Sequence, residues 1–290
     1  MPGSCSLPRE QEQEGDTSGK HCEKSGITFP EAMKKAFTLI ELLVVVAIIG
    51  IITALLVPAV NASRAAASRA VSTHTLHQLL VGGQGYLGDH NYKFWPYQYF
   101  TSTGTQWWFG FETWESQGMP EGERTCDYSI GPLGPYTSTS GGIKTDPAFL
   151  QSAQRLKPKY KNGNYGYGYN SVLSGSSSYP GGPSVPISAL QIQNYSQIIV
   201  FATSAQVNDF EPPASPDKPM IEEFYMINDD ARQYPSIHFR HGGHALAAFL
   251  DGSVRSLDMS SDMVPGSQDM RMPSANIGRL PSTYFRQSDW

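Results

Sequence analysis

Between Ile237 and Leu257 the chain places His238, His241 and His244 at three-residue intervals and follows them with Asp251. Imidazoles and a carboxylate are suitable ligands for a transition metal. An anchored hydrolase using His241 and Asp251 is a further reading, the least favoured of those the sequence offers. Against both stands the spacing, because in an extended segment alternate residues face opposite sides. A structural role for His241, hydrogen-bonded to the backbone of its own loop or turn, is the plainer expectation. Asp229, Asp230, Asp251 and Asp258 are oxygen donors of the kind calcium takes, yet no loop carries the D-x-D-x-D spacing of a dedicated calcium loop. The sequence contains no G-x-S-x-G, H-E-x-x-H, G-x-x-x-x-G-K-[ST] or C-x-x-C. The expectation is a protein that is not an enzyme and needs no cofactor, with calcium kept open. Gly83 to Gly88 spells G-x-G-x-x-G, but it follows a helical stretch rather than a strand, so it reads as a helix end and turn.

A second chemically distinctive residue is Glu41. It heads a run from Leu42 to Val60 in which Thr53 is the only polar side chain. A helix from Phe37 to Val60 would be about 36 Å long, enough to cross the hydrocarbon core of a bilayer. A carboxylate in such a segment costs about 2.5–3.5 kcal/mol and calls for a partner. Cleavage between Ala36 and Phe37 would create one, the α-ammonium of Phe37. Lys34 and Lys35 lie on the N-terminal side, which puts that end on the cytoplasmic face and everything after Val60 outside the cytoplasm. The length of the run exceeds the core of an ordinary secretory signal, and a plain single-span anchor does not account for Glu41.

Lys34-Lys35-Ala36 followed by Phe37-Thr38-Leu39-Ile40-Glu41-Leu42-Leu43 resembles the processing site of type IV prepilins and type II secretion pseudopilins. The resemblance implies that a prepilin peptidase cuts before Phe37 and methylates its new amino group, and that Glu41, fifth in the mature chain, guides docking of like subunits. Pro58 resembles the family proline that bends or loosens the helix. Ala36 stands where the family usually has Gly, and a small residue is kept. Further along, His241 followed after nine residues by Asp251-Gly252 resembles the H-x9-DG domain found downstream of prepilin-type segments. Tyr167-Gly168-Tyr169-Asn170 and Phe201-Ala202-Thr203-Ser204 resemble other blocks of that family. Together they imply an α+β, pilin-like fold: one long N-terminal helix, its first half in the membrane, packed on an antiparallel β-sheet with long loops.

The elements that must position these residues are read from pattern. Residues 1–36 form a polar leader, expected to be disordered over 1–32, with Met33 an alternative start. Residues 37–60 form the membrane and assembly helix, and 61–90 its continuation packed on the head; the helix is expected to run from Phe37 to near Leu80 and stop at Gly82 and Gly83. Ala62, Ala66 and Ala70 repeat at i+4, and Leu76, Leu79 and Leu80 share a face that must be buried against a sheet. Residues 91–290 form the extracytoplasmic head. Within it, Asn91 to Tyr136 is dense in aromatics, including Phe94, Trp95, Trp107, Trp108 and Trp114, and reads as an irregular layer whose rings cover helix and sheet, or as a subunit-contact or carbohydrate-stacking surface. Tyr165, Tyr167 and Tyr169 alternate with other residues and would share one face if extended. Gln197 to Ala202 reads as a buried strand, while Ile221 to Ala231 is open between strand and helix. Ala245, Ala247 and Phe249 alternate before Asp251-Gly252, which predicts a hairpin with a type I′ turn.

Composition bounds the function. Of 290 residues, 39% are hydrophobic and 11% aromatic, and the net charge is -5. Residues beyond 36 carry 16 basic and 20 acidic side chains, so no nucleic-acid partner is expected. Cys5 and Cys22 fall in the leader, leaving Cys126 with no internal disulfide partner and reading as an inert buried thiol. The leading expectation is a filament subunit in the inner membrane, assembling with like subunits and pseudopilins. The alternative is a membrane-anchored binding module for envelope glycan or protein partners.

Overall fold

The computed structural model describes residues 38–137, 142–152, 156–161, 163, 165–175, 185–230, 233–261 and 275–287. The leader, with Lys34, Lys35, Ala36, Phe37, Cys5 and Cys22, lies outside the described residues. The chain divides into two units, 1–53 and 54–290.

Helix α1 runs from Leu39 to Asp89. In its first-unit part every described residue is exposed, and the aliphatic side chains from Leu39 to Ile52 have no apolar cover. This helix is long and apolar enough to cross a membrane. Thr53 fits an apolar helix because its hydroxyl donates to the Ile49 and Gly50 carbonyls, at 2.8 and 3.0 Å. Pro58 lies inside the helix without ending it.

In the second unit, α1 buries Ser68, Ser72, Thr75, Leu76, Leu79, Leu80 and Leu87 at helical spacing. The inner face begins with serines, and Ala62, Ala66 and Ala70 remain exposed, unlike the expected alanine stripe. The helix also runs through Gly82 and Gly83 and ends at Asp89 rather than near Leu80. The glycines are there for close approach: a Cβ on Gly83 would sit 2.7 Å from the Trp95 ring. Termination falls to Asn91 and Tyr92, at φ 53° and 58°, where the Tyr92 amide donates back to the Leu87 carbonyl at 2.8 Å. The expected turn at the G-x-G-x-x-G segment is therefore helix.

After α1 come strands β1 (Gln98–Phe100), β2 (Gly104–Trp107) and β3 (Gly110–Thr113), an antiparallel meander. The aromatic segment is thus more regular than its glycines and threonines suggest, because each strand needs only three or four residues between turns. Short helices α2 (Trp114–Gln117), α3 (Gly134–Thr137) and α4 (Pro147–Ser152) follow. Strands β4 (Leu156–Lys157), β5 (Tyr167–Asn170), β6 (Ile199–Thr203), β7 (Gln206–Asn208), β8 (Met220–Glu222), β9 (Met226–Ile227), β10 (Ile237–His238), β11 (Ala245–Phe249), β12 (Val254–Leu257) and β13 (Ile277–Gly278) complete the head. The open stretch from Ile221 thus holds the end of β8 and all of β9, joined by non-regular segments, and no helix within its described part.

The central sheet has the order β12-β11-β6-β5-β9, antiparallel except for β5 with β9. Both faces are covered, which is why β6 and β11 are apolar apart from Thr203, whose hydroxyl donates to the His238 carbonyl. On one face Leu76, Leu79 and Leu80 meet Trp95, Tyr167, Tyr169, Phe201 and Leu246. On the other, Ala245, Ala247 and Phe249 pack with Ile199, Ile237, Phe239, Leu280 and Phe285. Tyr165, Tyr167 and Tyr169 do share one cluster, and Tyr169 donates to the Trp95 carbonyl at 3.1 Å while their rings stack at 4.9 Å. These features form an α+β fold of the pilin-like kind: a long N-terminal helix whose later turns lie on a mostly antiparallel sheet.

Candidate functional site

At the head of α1, Thr38 and Glu41 hold each other. The Glu41 carboxylate accepts from the Thr38 backbone amide and hydroxyl at 2.9 and 2.8 Å, and the Thr38 hydroxyl accepts from the Glu41 amide at 3.2 Å. This is a reciprocal capping box, in which a threonine before the first turn and a glutamate three residues on satisfy otherwise orphaned amides. The spacing T-x-x-E ahead of an apolar run was the available signal. It gives Glu41 a partner inside its own helix, beside the ammonium that processing would supply. Phe37 and Ala36 lie outside the described residues, and Pro58 lies within α1.

In the head, the polar centre is Asp146. Its Oδ1 accepts from the Ser72 hydroxyl of α1 at 2.7 Å and from the Ala148 amide at 2.8 Å. Its Oδ2 accepts from Arg240 Nε at 2.8 Å and faces His241 Nε2 at 3.4 Å. The Arg240 side chain also donates to the carbonyls of Ser204 and Gly166 and contacts His238 Nδ1. One carboxylate thus ties α1, α4 and the segment before β11 together, and Arg240 extends the network to the residue after β6. Burial opposes its ionisation, yet the Arg240 charge, with hydrogen bonds from His241 and Ser72, holds the Asp146 carboxyl well below the usual carboxylate range. Burial and the Arg240 charge push His238 the other way for a base, well below the usual imidazole range, so it sits there neutral. Asp146 stands before Pro147 at the start of α4, the N-cap-before-proline pattern of a helix start, a signal that the sequence carries but that sequence reasoning missed.

The H-x9-DG residues do not converge. His241 stands before β11, and its backbone exchanges hydrogen bonds with His244, with the ring turned to Asp146. Asp251 stands beyond the other end of that strand, accepting from Ser253 at 2.6 Å and Arg255 at 2.8 Å. The length of β11 separates them, so they form neither a metal pair nor an acid–base pair. His244 pairs with Asp258 at 2.7 Å, and Asp229 with Arg286. No group of three or more metal-ligating side chains converges among the described residues, so neither the histidine set nor the four calcium candidates is brought together. The hairpin is present, with Ala245 opposite Leu257, but its turn is not type I′. Gly252 has φ 88° while Asp251 is not at positive φ, Gly252 N donates to the Phe249 carbonyl and Phe249 N to Ser253. That is a type I turn with a left-handed glycine and a bulge.

A second buried network escaped sequence reasoning altogether. Glu112, fully buried, takes Arg124 Nε at 2.6 Å and the Tyr160 hydroxyl at 2.9 Å. Lys157, also buried, pairs with Glu121 and lies 3.7 Å from Glu222. Next to it, burial pushes the Glu223 carboxyl up to about 8 against the pull of Lys159 and of hydrogen bonds from Tyr225 and the Tyr165 amide. Cys126 is buried, and that burial, with the nearby Glu112 and Glu223, pushes its thiol well above the usual range. It is inert rather than nucleophilic. Of the aromatic segment, Phe94, Trp95, Trp108 and Phe109 are core, Trp107 stacks on Phe109, and Tyr99, Phe100 and Trp114 stay exposed.

No curated protein and no solved structure matches the chain. The family model described as the prokaryotic N-terminal methylation motif matches residues 32–57, a span that holds Lys34 to Phe37, the Thr38–Glu41 cap and most of the exposed apolar helix. Over that segment the chain is similar to prepilin-type cleavage and methylation proteins, and the match supports a type IV pilin-like or pseudopilin-like protein processed by prepilin peptidase.

Proposed function

We propose that this protein is a structural, non-enzymatic subunit of a type II secretion or type IV pilus-type filament. It is inserted once in the inner membrane, with the N-terminus cytoplasmic and the head outside. Prepilin peptidase cuts before Phe37 and methylates it, and the apolar helices then pack with those of like subunits and other pseudopilins. The observation that carries this reading is the methylation-motif match over the exposed apolar part of α1. Outside the lipid, association of such helices is driven by apolar burial, and Glu41 paired with the Phe37 ammonium sets their register. The head, with its H-x9-DG hairpin, forms the outer layer. N-terminal sequencing and intact mass of protein purified from membranes test it: a chain beginning at N-methyl-Phe37 is expected, and retention of the Lys34-Lys35 leader overturns it. In cells, Glu41→Val is expected to leave the protein membrane-bound but unassembled.

The alternative, a membrane-anchored module for envelope glycan, is supported by the exposed Phe100 and Trp114 rings, 5.8 Å apart. Saturable glycan binding lost in Trp114→Ala would favour it. Trp107 is not the probe, since it also donates to the Glu112 carboxylate at 3.2 Å.

A further inference from the structure

A crevice of about 430 Å³ opens where α1 first docks on the head, lined by Ala65, Ala66, Arg69, Ala148, Gln151 and His241 among others. Its small side chains leave room, and its charge is lopsided. Asp146, which does not line the crevice but bonds its lining residue Arg240, has both oxygens engaged, and the Arg240 guanidinium is committed to Asp146, Ser204 and Gly166. Arg69 is exposed and makes no ion pair among the described residues. The crevice therefore offers one uncommitted cation at its rim and a buried imidazole beneath.

Its position names the counter-charge. Ala65 and Ala66 follow Val60, the last residue of the apolar run, by five and six positions, about 8–9 Å along the helix. The headgroup layer is roughly 5–8 Å deep on each side of the hydrocarbon. Arg69 is one turn further, and helical side chains tilt toward the N-terminal end, which here is the membrane side. We propose that this crevice holds the phosphate of an anionic membrane phospholipid, gripped by Arg69 reaching back toward the headgroup layer, with the headgroup seated against the alanine wall. Such a contact would fix the height and rotation of the head above the bilayer before assembly. The proposal rests on the membrane reading given above.

The test uses the full chain in bilayers of phosphatidylcholine with and without phosphatidylglycerol. Carbonate extraction scores insertion separately, and native mass spectrometry after gentle detergent release scores retained lipid. Wild type should retain phosphatidylglycerol, and Arg69→Ala should reduce retention about fivefold, the scale of one juxtamembrane cation. Ala66→Phe, which fills the crevice from an exposed helix position, should reduce it as well while Arg69 remains. Inorganic phosphate should not displace the lipid at comparable concentration. An inserted wild type that retains no phosphatidylglycerol, retention in both variants equal to that of wild type, or equal capture of free phosphate overturns the proposal while leaving the membrane reading intact. A chain extracted by carbonate overturns both.

Discussion

Asp146 Oδ2 and Arg240 Nε lie 2.8 Å apart with both side chains fully shielded from solvent. They come from segments 94 residues apart in sequence, and the serine on the other oxygen belongs to α1. Removing one partner of a buried ion pair strands the other charge in a low-dielectric interior, which typically costs about 3–5 kcal/mol. Asp146→Ala should therefore destabilise the head by that order, read as a drop in the denaturant midpoint of the detergent-solubilised chain. Ser72→Ala, which removes one neutral donor to the same carboxylate, should cost about 1–2 kcal/mol. A loss for Asp146→Ala no larger than for Ser72→Ala would refute the keystone role.

Glu223 makes stability depend on pH in a definite direction. Its folded-state value of about 8 lies above the ordinary 4.5, so the folded chain holds a proton that the unfolded chain has released. Stability from this group falls as pH rises between those values, at about 1.4 kcal/mol per pH unit, and levels off above 8. Below pH 6.5 His238 works in the opposite sense, since its depressed value means the unfolded chain takes up a proton the folded chain refuses. The clean window is thus pH 6.5 to 8. There, urea titrations should show stability declining in wild type and a shallower slope in Glu223→Gln; parallel slopes would dismiss the protonated glutamate.

Gly83 offers a test of packing against propensity. Alanine is favoured over glycine in a helix by about 1 kcal/mol, yet a Cβ there would sit 2.7 Å from Trp95, a ring held by Tyr169 and Phe201. Overpacking of this kind costs about 1–3 kcal/mol. Gly83→Ala should lower thermal stability, and Gly88→Ala, with open space around it, should not. A stabilised Gly83→Ala would show that the ring yields freely.

Cys126 should resist alkylation. Its thiolate is suppressed by burial, so iodoacetamide should label it only as the head opens, with the labelling rate rising together with denaturant. Rapid labelling of the native chain at neutral pH would contradict the buried position.

Some of this protein was settled by local chemistry. The run from Leu42 to Val60 has no polar side chain except Thr53, whose hydroxyl is absorbed by its own helix, so an apolar helical segment follows from composition, although not its unbroken passage through Pro58. The same holds for the apolar stretch Ile199–Ala202 of β6, for the Tyr-x-Tyr-x-Tyr alternation whose rings share one cluster, and for the Asp251-Gly252 hairpin, although not for its turn type. Tertiary contact decided the rest. Gly82 and Gly83 look like a helix stop when only propensity is weighed; they lie inside the helix, and they are glycine because Thr137 and Trp95 come close enough to exclude a Cβ. The fate of each aromatic between Phe94 and Trp114 depended on which ring the meander turned toward Tyr169 and Phe201. Asp146, Arg240 and Glu223 were ordinary charged residues in the sequence, because pairing and burial are properties of distance in space, and residues 94 apart in the chain meet only once the sheet and α1 have closed around them.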